Sequence, residues 1–165
     1  MNFEQAYAAL ESLIRSLPTL FSSVTVSFAF GENRPPIGDW SDPLNLGILA
    51  TGDGVGSKSG VYFFGSPEGE IIYIGKATKN NLHHRVWDHV KTPRVAQDGQ
   101  RTFPLHGFRE SSHALEQAAC IQGGNAQLGV VTISDPDLVS LIEVYLHTLH
   151  VKTHGRLPAL NKKIG

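Results

Sequence analysis

At 165 residues, with 41% hydrophobic and 18% charged composition, the chain can bury one good core and has no room for a second globular domain. The lone Cys120 excludes a disulfide framework and a cysteine-rich zinc site and suits a reducing compartment. No apolar run approaches bilayer length and no basic flank precedes the first apolar residues, so the start does not resemble a secretory signal and a soluble, cytoplasmic protein is expected. The net charge of −1 conceals a split: residues 1–75 carry three basic against eight acidic side chains, whereas residues 76–165 carry eleven against seven. The second stretch is therefore the one suited to a phosphate-bearing partner.

In chain order, Phe3, Ala6, Leu10, Leu13, Ile14 and Leu17 recur at helical spacing, and Pro18 ends that helix. Ser23–Phe30 alternates Val24, Val26, Phe28 and Phe30 with small residues, the pattern of a half-buried strand. Residues 31–59 are rich in Gly, Pro, Asp and Asn, and only Leu44–Ala50 is apolar enough to pack, which predicts a long covering loop. Within it, Gly52-Asp53-Gly54-Val55-Gly56-Ser57-Lys58-Ser59 approaches a phosphate-binding loop. It departs where Ser57 replaces the last glycine and where a strand, not a helix, follows, and a flexible linker is the favoured reading.

The runs Val61–Phe64 and Ile71–Ile74 flank Gly65–Glu70, a turn segment, and predict an antiparallel hairpin. A turn symmetric about Pro67 and Glu68 pairs Tyr62 with Tyr73 side by side on one face and puts Val61, Phe63, Ile72 and Ile74 on the other, as core. Gly75-Lys76 and a polar loop follow, then a helix with Leu82, Val86 and Val90 as its buried stripe and Arg85 and His89 one turn apart beside it. Residues 91–110 are polar and irregular. Ser112 caps a predicted helix over His113–Gln122 that buries Ala114, Leu115, Ala118, Ala119 and Ile121, and Gly123-Gly124-Asn125 ends it. Leu128–Ile133 is a third strand of the central sheet; Asp135-Pro136 opens a helix to about His150 whose stripe is Leu138, Leu141, Ile142, Tyr145, Leu146 and Leu149. Glu143 lies off that stripe.

Gly60-Val61-Tyr62 and Tyr73-Ile74-Gly75 on adjacent strands, Lys76, Arg85 and His89 on the next helix, Glu143 on the last helix and Asn161 after Leu157-Pro158-Ala159-Leu160 resemble, in that order, the GIY-YIG nucleases. The resemblance covers residues 60–163; the 92–127 loop is longer than in the minimal module, and residues 1–59 match nothing in it. It implies an α+β fold with a small antiparallel or mixed three-stranded sheet flanked by helices, as a domain over 60–165 with an insertion at 92–127. Residues 1–59 form an added helix, strand and loop packed on it.

The implied activity is endonucleolytic hydrolysis of double-stranded or branched DNA. Tyr62 is the favoured general base, with Tyr73 and Lys76 positioning the water; the reverse assignment of the tyrosines stays open. Arg85 supplies donors for non-bridging oxygens, His89 shuttles a proton or contacts phosphate, one Mg²⁺ or Mn²⁺ is held by Glu143, and Asn161 orients Glu143 or a water at the metal. Phosphodiester hydrolysis asks for these groups independently: an activated water, charge neutralised on the phosphoryl oxygens, and a stabilised leaving alkoxide. Nearby cations are expected to lower the tyrosine pKa from about 10. Lys79, Lys91, Arg94, Lys162 and Lys163 are candidate DNA contacts. Specificity falls to residues 1–59, the insertion, a homodimer or a protein partner, and a DNA-binding module with little or no catalysis is the alternative. Taken singly, the tyrosines read as a cross-strand aromatic pair, and Arg85, His89 and Lys76 as a solvated face. Glu143, His147 and His150 share one helix face, either an exposed side or a zinc site.

Overall fold

The computed structural model of the chain describes residues 1–30, 34, 36–39, 54–90, 93–105, 108 and 114–164. Among them are five α-helices: α1 (Phe3–Ser16), α2 (Pro18–Phe21), α3 (Leu82–Val90), α4 (Leu115–Gln122) and α5 (Pro136–His154). The strands are β1 (Val26–Ala29), β2 (Gly60–Gly65), β3 (Ile71–Ala77), β4 (Arg94–Val95), β5 (Arg101–Thr102) and β6 (Gln127–Ile133). The fold is α+β, with a four-stranded antiparallel sheet in the order β1-β6-β2-β3. The three strands expected are thus four, because β1 pairs along β6 instead of lying outside the sheet. None of the described helices is long and apolar enough to cross a membrane.

Alternation along the strands divides the core into two layers. Val61, Phe63, Ile74, Val131 and Ile133 pack against Phe3, Ala6 and Leu10 of α1 and against Val139, Ile142 and Leu146 of α5. Tyr62, Phe64, Leu128 and Val130 pack on the opposite face against Leu82, Val86 and Val90 of α3 and Ala118 and Ile121 of α4. Both faces of the hairpin are therefore covered, and neither presents its phenols freely to solvent.

The hairpin register differs from the symmetric one. The turn is one residue longer, pairing Gly65 with Ile71, and a bulge follows, so that Phe64 faces Tyr73, Phe63 faces Ile74 and Tyr62 faces Gly75. Two one-residue offsets restore the parity of the faces, which is why the tyrosines still share a side although they are diagonal rather than opposite. Ile72, the bulged residue, leaves the Val61–Phe63 face for the α3 side.

Each end of α1 and α5 has a local cause. Asn2 accepts from the Gln5 amide while the Gln5 side chain accepts from the Asn2 amide, a reciprocal cap ahead of α1. Pro18, expected only to stop α1, also starts α2. Asp135 accepts from the Asp137 amide at the start of α5, and the helix runs four residues past His150 to Gly155, which closes it at φ 72°. β1 ends where Phe30 adopts φ 66° and joins the α3 side, cutting the predicted alternation short. Residues 91–110, read as irregular, contain the β4–β5 ribbon, joined by the Ala96–Gln100 turn. Leu115, expected in the core, is 71% exposed, and Leu141 is also exposed. The predicted packing of Leu44–Ala50, the Ser112 cap, His113, and Gly52 and Asp53 lie outside the described residues.

Phe3 anchors the α1 layer. Its ring lies over Gly65 of β2 and Gly129 of β6, where an added Cβ at Gly129 would stand 2.5 Å from Phe3 Cε1. The Arg34 guanidinium covers it 4.4 Å from the ring centroid and pairs with Glu4 at 2.7 Å. Phe3→Ala empties that seat and is expected to destabilise the fold by about 3–5 kcal/mol in urea unfolding; a loss below about 1 kcal/mol would mean that α1 adds little to the core.

Candidate active site at the edge of the sheet

β3 is an edge strand, and its outer side is closed by the segment after α5. The Leu160 amide donates to the Ile72 carbonyl at 2.9 Å. The Asn161 side chain then takes the place of a neighbouring strand: Oδ1 accepts from the Ile74 amide at 2.9 Å and Nδ2 donates to the Ile74 carbonyl at 2.8 Å. These two bonds use one donor and one acceptor of the Asn161 amide and anchor it to β3, while the side chain still lines the cleft described next.

A cleft of about 290 Å³ straddles this edge, lined by Tyr73, Gly75, Lys76, Arg85, Glu143, His147, Asn161, Lys162 and Lys163 among others. It joins residues from β3, α3, α5 and the following segment. Lys76 points to the α5 side, where Nζ stands 2.8 Å from Glu143 Oε2. That contact is a charge pair whose angles fall outside a hydrogen bond, because the same buried oxygen has no hydrogen-bond partner. Arg85 comes over the other face of the strand, exposed, with Nε donating to the Lys76 carbonyl at 3.4 Å. Glu143, placed off the stripe in the sequence reading, is only 5% exposed.

The two phenols occupy unequal positions. Tyr62 lies across its cross-strand partner Gly75: an added Cβ there would meet Tyr62 Oη at 2.6 Å and Tyr73 Cε1 at 2.8 Å. It is wholly buried, its hydroxyl makes no well-formed hydrogen bond and has the Tyr73 phenol as its polar neighbour, and it sits behind the cleft wall. Tyr73 is on the wall, half-buried, with Oη 3.3 Å from His89 Nε2. Burial holds Tyr62 well above the ordinary phenol pKa and raises Tyr73 too; Arg85 opposes this in both and Glu143 adds to it. The expected lowering by neighbouring cations is thus reversed, because desolvation outweighs one exposed guanidinium.

His89 is fixed by rings on both sides, 4.9 Å from Tyr73 and stacked on Phe108 at 5.1 Å and 14°. Phe108 comes from the 92–127 insertion and also meets Tyr73 edge-on at 5.1 Å. Sequence reasoning missed it, since Phe103, Leu105 and Phe108 follow neither helical nor strand spacing in a stretch broken by Pro104 and Gly107. His147, one turn after Glu143, is 1% exposed; neither ring nitrogen makes a well-formed hydrogen bond, and its polar neighbours are the Asn161 side chain and the Ile74 backbone. Burial lowers its pKa, with Glu143 opposing. His150 turns elsewhere, its Nδ1 donating to the Arg156 carbonyl at 2.7 Å. The Glu143, His147 and His150 trio is neither an exposed helix side nor a three-ligand zinc site: all three are buried, and no group of three or more such ligands converges among the described residues.

No family model, curated protein or solved structure matches the chain. Of the proposed DNA contacts, Lys162 and Lys163 line the cleft, Lys79 is exposed in the turn before α3, Arg94 is exposed on the β4–β5 ribbon, and Lys91 lies outside the described residues. The Gly52–Ser59 segment is not a phosphate cradle in the part described. The Gly56 and Lys58 carbonyls accept from the His83 and Leu82 amides at 3.0 and 3.2 Å, so oxygens rather than amides face the start of α3.

Asn161→Ala removes both bonds to Ile74 and is expected to cost about 1–3 kcal/mol in urea unfolding; unchanged stability would return Asn161 to a purely chemical role. The buried phenols give a second expectation. Tyr7, pushed up to about 12 by burial, joins Tyr62 and Tyr73 in holding its proton longer when folded. Their stabilisation is fully present below the unfolded value of about 10 and is lost as pH rises from there through the folded values. Urea midpoints should be level to about pH 9 and fall above about pH 10, less steeply in Tyr62→Phe; a flat profile to pH 11 would contradict the burial of these phenols.

Proposed function

We propose that the chain is a divalent-metal-dependent DNA endonuclease of the GIY-YIG type. The observation that carries this reading is the meeting of Tyr73, Lys76, Arg85 and Glu143 in one cleft. Three elements, β3, α3 and the distant α5, supply there the groups that phosphodiester hydrolysis requires. The basic flank of Lys162 and Lys163 suits the backbone of a DNA strand lying along the opening.

Arg85, exposed and held from Lys76 through Nε, presents its remaining donors to the non-bridging oxygens of the scissile phosphate. Tyr73 rather than Tyr62 faces the attacking water. Its phenol, held protonated by burial, gives its own proton to His89 Nε2 as it takes one from the water, so the phenol ends neutral and the imidazole charged. Tyr62 fills the space over Gly75 and fixes the Tyr73 ring, its centroid 6.1 Å away. Glu143 fits a hard divalent ion: it is a buried carboxylate with an oxygen that lacks a hydrogen bond, beside a cleft open to water and phosphate. Such an ion, when bound, would neutralise charge on the leaving oxygen.

The Lys76–Glu143 pair favours one second reading, since the ammonium already neutralises the carboxylate: a module of the same fold that binds DNA without cutting it. Supercoiled and linear DNA incubated with Mg²⁺ or Mn²⁺ separates the two. Arg85→Ala and Glu143→Ala are each expected to slow cutting by about 10²–10³, and Tyr73→Phe by about 10²–10⁴. Tyr62→Phe, which deletes a hydroxyl that makes no well-formed hydrogen bond, should stay within about tenfold of wild type. DNA binding with no metal-dependent cutting by wild type would sink the nuclease reading, and a Tyr62→Phe defect as deep as that of Tyr73→Phe would reverse the assignment of the phenols.

A further inference from the structure

We infer that His147 is a second protein ligand of the ion held by Glu143, making the centre a carboxylate–imidazole pair that prefers Mn²⁺ to Mg²⁺. The inference rests on the reading of Glu143 as a metal ligand. It starts from an imbalance: His147 is 1% exposed, yet neither Nδ1 nor Nε2 makes a well-formed hydrogen bond, its polar neighbours being the Asn161 side chain and the Ile74 backbone, which already bond each other, and a buried unsatisfied polar atom costs about 1–3 kcal/mol. A histidine serving only as core filler would donate from one nitrogen to a carbonyl, as His150 does to Arg156. Instead the ring lines the cleft beside Glu143, whose buried Oε2 has the Lys76 ammonium, 2.8 Å away and itself partly exposed, as its counter-ion and makes no well-formed hydrogen bond.

Residues 143 and 147 are one helical turn apart on α5, the separation at which two side chains of a helix reach a single ion. The neighbouring leucine, Leu146, points into the α1–α5 core layer, so the helix presents only these two ligands at the cleft. Two protein ligands leave several positions for water and phosphate oxygens, as a catalytic rather than a structural centre needs. An imidazole nitrogen discriminates among ions: it adds affinity for Mn²⁺ and later first-row metals and little for Mg²⁺, which prefers oxygen.

The test is Mn²⁺ binding to the full chain without DNA, followed by pulsed electron paramagnetic resonance of the bound ion. Wild type should show nitrogen hyperfine modulation from a coordinated imidazole. His147→Gln, checked for folding by urea unfolding, should lose that modulation and bind Mn²⁺ more weakly by about tenfold or more, with Mg²⁺ affinity changed far less. His147→Asn serves if the glutamine variant does not fold, and His89→Gln controls for the other histidine at the site. Mn²⁺ bound by wild type without nitrogen modulation, or modulation that persists in the His147 variant, overturns the inference and leaves the endonuclease reading standing. No uptake of Mn²⁺ by wild type removes the metal reading and this inference together.

Discussion

The organisation of the cleft depends on an empty position, the missing side chain of Gly75. Tyr62 is directly opposite on β2, and its ring occupies the volume that a Cβ at Gly75 would claim, while the Tyr73 ring closes on the same point. Any larger residue would push one phenol out of the core or lift the edge strand from its neighbour. With the position empty, the strand stays flat against β2, Lys76 is aimed at α5, and Tyr73 is left on the wall. Groups from α3 on one face and from α5 on the other reach a common cleft at this edge, with Gly75 in its lining.

The charged groups there are arranged against the cost of burial. A carboxylate 5% exposed, inside an apolar layer, needs a counter-ion, and Lys76 provides one at 2.8 Å. The lysine is itself only partly covered, with 30% of its side chain exposed, so it can leave without being stranded in the core. Burial drives both phenols toward the protonated form, and the histidine stacked on Phe108 holds its Nε2 3.3 Å from the hydroxyl of the nearer one, Tyr73. Electrostatics alone would not have oriented that imidazole. Aromatic packing from the insertion does.

Much of this was legible in the sequence where a periodic signal existed. The Asp135-Pro136 start of α5, the Leu82, Val86 and Val90 stripe and the hairpin strands follow from capping and spacing, and Tyr73, Lys76, Arg85, Glu143 and Asn161 line one cleft, with Tyr62 behind its wall. What escaped has a physical reason in each case. The register of β2 on β3 depends on a bulge at Ile72 that no composition signal marks, and parity kept the faces right while the partners were wrong. Glu143 looked like a surface residue because polar periodicity cannot distinguish a solvated side from one buried by another segment. Asn161 resembled a chemical group because its real partner, the backbone of Ile74, has no sequence identity to read. β1 joined the sheet because β6 would otherwise have shown an unpaired edge.

The closure of β3 by Asn161 also bears on how the molecule comes into being. The bonds from Asn161 to Ile74 span 87 positions, so they reward the chain only after the entropy of a very long loop has been spent. High contact order of this kind slows folding and leaves the last-formed contacts to whichever element arrives late. A ribosome-bound chain that has emerged through Ile133 already has every strand of the sheet, but it lacks α5 and with it the carboxylate. The cleft is thus the final part to assemble, its α5 wall arriving after every strand of the sheet has been made.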